Sequence, residues 1–156
     1  MPKRDNSTGV HVWLVLMKAY QVLHQRAMRS IAGTGLCFSD FAVLETLLHK
    51  GPLPVNTIGA KIALTSGSST AAVDRLEKKG LVRRAADPSD RRTRIVHLNE
   101  EGRALSQKAF GKHAADIEAV TSSLTSSEQK TLAGLLKKLG KSAVSGPTTD
   151  SVSMKG

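Results

Sequence analysis

GPLPVNTIGAKIALTSGSSTAAVDRLEKKGLVRRAADPSDRRTRIVHLNEEG, residues 51–102, changes its hydrophobic period twice, and those changes define its elements. Pro52 and Pro54 cannot donate to a ladder, so residues 52–55 allow at most a short edge strand. Residues 56–62 read as a short helix and Ala63-Leu64 as a turn. Thr65 or Ser66 then caps a helix running to about Lys79, with Gly80 as its stop. On that helix Ser69, Ala72, Val73 and Leu76 share one face, and Ser66, Ser68, Thr70, Asp74, Arg75 and Lys78 lie on the other. Beyond it the period drops to two. Residues 81–86 and 93–98 are β-prone runs joined by the turn-forming Asp87-Pro88-Ser89-Asp90, which predicts a hairpin.

A short helix, a tight turn and a second helix opening with Thr65-Ser66-Gly67-Ser68-Ser69-Thr70 form a helix-turn-helix pattern suited to DNA. Small hydroxyl residues let the helix N-terminus approach the major groove, where backbone amides meet phosphate and hydroxyls reach base edges or phosphate. Arg75, farther along, can read a guanine or clamp a phosphate. The hairpin crowds Arg83, Arg84, Arg91, Arg92 and Arg94 into about a dozen residues. An arginine at the tip of a two-stranded loop fits the negative potential of a minor groove. Asp90 is expected to neutralise an arginine at the strand base and to set the loop shape. Caps, ordinary helix packing and a solvated charged hairpin explain each feature singly; the hairpin directly after the helix pair favours DNA.

Working outward, apolar positions at Trp13, Leu16, Met17, Tyr20, Leu23, Ala27, Met28 and Ile31 make residues 10–31 a helical stripe, ended by Ala32-Gly33-Thr34-Gly35. Ser39 reads as the N-cap of a second helix that buries Phe41, Leu44, Leu47 and Leu48 and stops at Gly51-Pro52. After the hairpin, Asn99-Glu100-Glu101 opens a helix with a cap and two carboxylates at the positive end of its dipole. Thr125 to Glu128 has the capping-box spacing ahead of Leu132, Leu135, Leu136 and Leu139. The expected organisation is a flexible arm over 1–9, a helix within 10–36 for dimerisation, a DNA-binding unit over 37–98, two further dimerisation helices within 99–141, and a disordered tail over 142–156.

Composition agrees with this. The 156 residues hold five aromatics, so the core rests on Leu, Val, Ile and Ala, which favours helix packing over a β-sandwich. Twenty-three Lys and Arg against thirteen Asp and Glu leave a formal charge of +10, which points to a polyanionic partner. A single cysteine, Cys37, excludes an intrachain disulfide, and five scattered histidines lack metal-ligand spacing, so neither a metal nor a cofactor is expected. No apolar run approaches a membrane span and no signal peptide is visible, so a cytoplasmic, nucleoid-associated protein with no membrane partner is expected. An enzyme fares worst. The chain has no glycine-rich phosphate loop, no nucleophile motif and no paired carboxylates beside a histidine.

Residues 51–102 resemble the winged helix-turn-helix of MarR-type bacterial transcriptional regulators. The most telling piece is Asp87-Pro88-Ser89-Asp90-Arg91-Arg92 followed by Val96, Leu98 and Gly102, and the likeness extends over residues 10–141. The resemblance implies a mainly α fold with a small β-wing and flanking dimerisation helices. It implies a homodimer on a pseudo-palindromic operator in double-stranded DNA, with Ser66, Ser68, Thr70 and Arg75 in the major groove. Arg92 would enter the minor groove, organised by Asp90, with Arg91 and Arg94 on phosphate. The stripes of the first and last two helices carry more apolar surface than a small winged domain needs, which independently favours a two-fold arrangement. Members of the family are commonly repressors released by a small aromatic or anionic effector, or by oxidation of a sensor cysteine.

Trp13, Tyr20, His24, Phe38 and Phe41 are candidates for an effector pocket because they gather on the first two helices, although core packing explains most of them equally well, and His24 reads more readily as a satisfied core histidine. Cys37 precedes the second helix, a setting that can activate a thiol. Between Leu36 and Phe38 it also reads as a buried small hydrophobe. Two alternatives therefore stand beside the effector-released repressor: a repressor sensing oxidants or electrophiles through Cys37, and an architectural DNA-binding protein without effector.

Overall fold

The computed structural model describes residues 7–145, within which the chain forms six helices and one small sheet. In chain order these are α1 (Ser7–Ala32), α2 (Phe38–Lys50), β1 (Leu53–Pro54), α3 (Val55–Lys61), α4 (Ser66–Lys78), β2 (Val82–Ala86), β3 (Arg94–Leu98), α5 (Glu100–Thr121) and α6 (Ser126–Ser145). The sheet is antiparallel, ordered β1-β3-β2, with Arg84 opposite Val96 and Leu53 opposite Val96 on the other side. Proline confines β1 to two residues at an edge. The mainly α fold with a β-wing read from the sequence is the observed one.

The chain divides into two compact units, one ending at Glu118 and one beginning at Ala119. In the first, Leu44, Leu47, Ile58, Val73, Leu76, Val82 and Val96 are fully buried and join α2, α3, α4 and the sheet. Each such side chain contributes about 1.5–3 kcal/mol relative to exposure. Two glycines permit the close approaches that hold this unit together. A Cβ at Gly59 would collide with the Ser69 hydroxyl where α3 crosses α4, and one at Gly102 would collide with the Leu81 carbonyl where α5 leaves the sheet. Asn99 clasps the same corner, its Nδ2 donating to the Gly80 carbonyl at 2.9 Å. Ser30 on α1 donates to Asp116 on α5 at 2.5 Å and lies 3.2 Å from His113 Nδ1, whose ring meets Phe41 of α2 edge-on.

In the second unit the expected capping box forms. Glu128 Oε2 accepts from the Thr125 backbone N–H at 2.8 Å, and the Glu128 N–H donates to Thr125 Oγ1 at 3.3 Å. The Thr125 backbone N–H and, after it, the Thr125 hydroxyl, which donates to the same Glu128 oxygen at 3.0 Å, lower the Glu128 pKa. No side chain of α6 is buried among the described residues, and Leu132, Leu135, Leu136 and Leu139 are exposed.

Several boundaries differ from expectation. Helix α1 begins at Ser7, so residues 7–9 are helical; the rest of the expected arm lies outside the described residues. Helix α6 runs to Ser145, four residues past the expected boundary at 141, because no proline interrupts it before Pro147; the remainder of the expected tail is likewise outside the described residues. Ser39 is not the N-cap of α2. That place belongs to Cys37, without a side-chain cap bond, because the helix already starts at Phe38 and the Ser39 hydroxyl turns to Arg75 of α4. Among the described residues no helix is long and apolar enough to cross a membrane.

Candidate nucleic-acid interface

The start of α4 is built by its own hydroxyls. Thr65 Oγ1 accepts from the Ser68 N–H at 3.2 Å and donates to Ser68 Oγ at 2.9 Å, so of the two caps the sequence allows, Thr65 and Ser66, the helix takes Thr65. Ser69 is fully buried and donates back to the Thr65 carbonyl at 2.9 Å. With Ser69 turned inward against Gly59, the exposed side chains of this turn are Ser66, Ser68 and Thr70. That division follows from the sequence, since Ser69 falls on the stripe of Ala72, Val73 and Leu76.

Two carboxylates fold the wing tip. Asp87 Oδ1 accepts from the Ser89 N–H at 2.9 Å and its hydroxyl at 2.8 Å, and these bonds, led by the backbone one, lower the Asp87 pKa. Asp90 Oδ1 accepts from the Arg92 N–H at 3.0 Å and Oδ2 from the Thr93 hydroxyl at 3.0 Å. Asp90 thus shapes the loop, as expected, but by bonding its own turn; the expected partner arginine at the strand base is replaced by nearer donors two and three residues on. Arg91, Arg92 and Arg94 are exposed and make no salt bridge among the described residues.

The wing and the helix pair meet across an open groove of about 350 Å³, lined by Ser66 and Thr70 of α4, by Pro54, Val55 and Asn56 at the start of α3, and by Arg92, Thr93 and Arg94 of the wing. Four of the residues singled out from the sequence are therefore brought together: two hydroxyls and two unpaired guanidinium groups. Such a surface offers hydrogen bonds to base edges and positive charge to phosphate.

Arg75 lies elsewhere. Its Nη2 donates to Asp40 Oδ1 at 2.6 Å and to Ser39 at 3.0 Å, and Lys79 approaches the same carboxylate at 3.6 Å. Asp40 is only 2% exposed, and Arg75, whose pKa this bond raises, neutralises it. The side chain assigned to the major groove thus ties α4 to α2. Cys37, its Sγ 3.9 Å from Arg75 Nη2, is exposed rather than buried, because the α2 start faces solvent.

Arg84 also departs from the cluster of arginines to which it was assigned. It reaches Asp74 and Glu77 of α4 and is 20% exposed. Asp74, placed by the sequence on the outward face of α4, is its partner. A sequence signal for this existed: alternation places Arg84 on the same strand face as buried Val82.

The residues named for an effector pocket differ in burial. Phe41 is in the core, whereas Trp13, Tyr20 and Phe38 are exposed. His24 is exposed and stacks on Tyr20 at 5.3 Å, so it is not a core histidine. Cavities of about 440 and 170 Å³ are lined by other residues: one by Glu45, Thr46, His49, Lys50, Lys61 and Ile62, one by Gly33, Thr34, Leu105, Lys108, Ala109 and Lys112. Among the described residues no cluster could hold a metal ion.

Comparison with known proteins agrees with this geometry. The MarR family model matches residues 39–93. The transcriptional regulator MhqR of Bacillus subtilis is 40% identical over 135 residues, covering 86% of this chain and 93% of its own. The structure of a MarR family protein from Bacillus stearothermophilus superposes with a TM-score of 0.73 at 26% identity, over 90% of this chain and 98% of that one. The structure of Bordetella bronchiseptica BpsR, described as regulated in its DNA binding by 6-hydroxynicotinic acid, gives 0.70 at 25% identity over 83% and 98%. The chain belongs to the MarR family and is a DNA-binding transcriptional regulator, not an enzyme.

Proposed function

We propose that this regulator is a cytoplasmic, nucleoid-associated homodimeric repressor that binds a pseudo-palindromic operator and is released by a small aromatic or anionic effector. The observation that carries it is the groove shared by Ser66 and Thr70 of α4 with Arg92 and Arg94 of the wing. In this reading Ser66, Ser68 and Thr70 face the major groove, Arg92 enters the minor groove from a loop organised by Asp90, and Arg91 and Arg94 contact phosphate. Arg75 serves from behind, holding α4 on Asp40. The exposed apolar side chains of α1 and α6, Trp13 and Leu135 among them, support dimerisation through the flanking helices. A two-fold then spaces the recognition helices by about one DNA turn, ~34–36 Å.

An effector releases DNA only by binding the DNA-incompetent arrangement more tightly than the competent one. Exposed Trp13, Tyr20, His24 and Phe38 supply aromatic and imidazole groups for such a ligand. A relative whose DNA binding is regulated by 6-hydroxynicotinic acid supports the ligand class. A second reading, thiol sensing, is favoured by the exposure of Cys37 beside Arg75.

Footprinting on the DNA upstream of the gene tests the function. We expect two protected half-sites one turn apart, lost on adding a phenolic or aromatic carboxylate. Loss on oxidation that Cys37→Ser abolishes would select the thiol reading. Uniform protection of operator and random DNA would instead identify an architectural protein.

A further inference from the structure

Helix α4 carries two carboxylates, Asp74 and Glu77, on a surface that must approach a polyanion. Each would repel phosphate if left free, so their partners matter. Both are taken by one residue of β2. Arg84 Nη2 donates to Asp74 Oδ1 at 2.7 Å, Nη1 donates to Glu77 Oε1 at 3.1 Å, and the Arg84 backbone N–H donates to Glu77 Oε2 at 3.1 Å. The guanidinium fork suits this arrangement, with two donor nitrogens spanning acids one helical turn apart. Its place follows from the strand. Val82, Arg84 and Ala86 alternate onto one face of β2, Val82 is in the core, and Arg84 lies opposite buried Val96. The Arg84 side chain is accordingly 20% exposed, whereas Arg83, Arg91, Arg92 and Arg94 are exposed.

We propose that Arg84 is a positioning residue for operator recognition: by bridging Asp74 and Glu77 it fixes the angle between the recognition helix and the wing, and so sets operator selectivity without touching DNA. The inference rests on the regulator reading above. It follows because the two DNA-facing elements belong to one lobe but read different grooves, and a bridge between α4 and β2 decides whether both can seat at once. A guanidinium whose charge is cancelled by two carboxylates has little left for phosphate. Arg75 and Lys79, bound to Asp40, brace the same helix against α2.

The test measures affinity for operator and for a random duplex over a range of salt. For Arg84→Gln we expect a loss on operator roughly tenfold larger than the loss on random DNA, which reflects only the repulsion from the freed Asp74 and Glu77, and an unchanged slope of log affinity against log salt. Glu77→Gln should do the same, and the double variant should cost little more than either single one, since all three break one bridge. Should Arg84→Gln fail to fold, Asp74→Asn, at a more exposed position, makes the same comparison. A parallel loss on both DNAs with a slope reduced by about one would make Arg84 a phosphate contact and overturn the proposal. Unchanged selectivity would overturn it too, as would additive losses. Wild-type protein that does not distinguish operator from random DNA would refute the regulator reading itself, and that result is read before any variant is made.

Discussion

The DNA-binding lobe and the flanking helix α6 are made of similar residues and are buried very differently. In the lobe, Leu44, Leu76, Val82 and Val96 are almost entirely withdrawn from water, and every polar group that packs among them has a partner: Ser69 on a carbonyl, Asp40 on Arg75. Helix α6 has good local chemistry, with a complete capping box and four leucines on one stripe, yet buries none of its side chains. Helix α1 resembles α6 along most of its length, since among the described residues it buries only Ser30 and Ile31, near its end. Periodicity alone therefore does not tell a buried stripe from an exposed one. Both leave an apolar row at helical spacing; what differs is whether the chain supplies the surface that covers it.

Substitutions can pull the two regions apart. Changing Leu135 and Leu139 together to lysine should have the largest effect, converting the protein to monomers in sedimentation and lowering operator affinity roughly a hundredfold or more, because each half-site is then bound alone. Retained dimers would show that the α6 stripe is not the interface. Leu76→Ala attacks the other region and should cost about 2–5 kcal/mol of unfolding free energy as a fully buried leucine. Measured by denaturant titration, it should leave subunit association unaltered, which separates lobe stability from dimerisation. A change in association instead would mean that the two regions are coupled more tightly than their burial indicates.

Elements set by near neighbours in the chain were legible from the residues. The hairpin ends, the edge strand limited by Pro52 and Pro54, the α4 cap at Thr65 and the capping box at Glu128 all depend on contacts within a few positions. Long charged side chains were not, because their partners are chosen by tertiary packing. Arg75, expected in the major groove, binds Asp40, and Arg84, counted only as one of the hairpin's arginines, binds Asp74 and Glu77. Asp90 shows the reverse case, an acid expected to reach an arginine that bonds its own turn. The helix start at Phe38 displaced the expected Ser39 cap by a turn of hydrogen-bonding choice that single residues do not reveal.

What survives from the original arginine cluster is the exposed set around the wing tip, and the account depends most on Arg92. Operator affinity of wild type and Arg92→Ala, compared at fixed salt, tests it most directly. The expected result is a loss of about 1–3 kcal/mol in binding free energy. An unchanged affinity would contradict a wing that enters the minor groove.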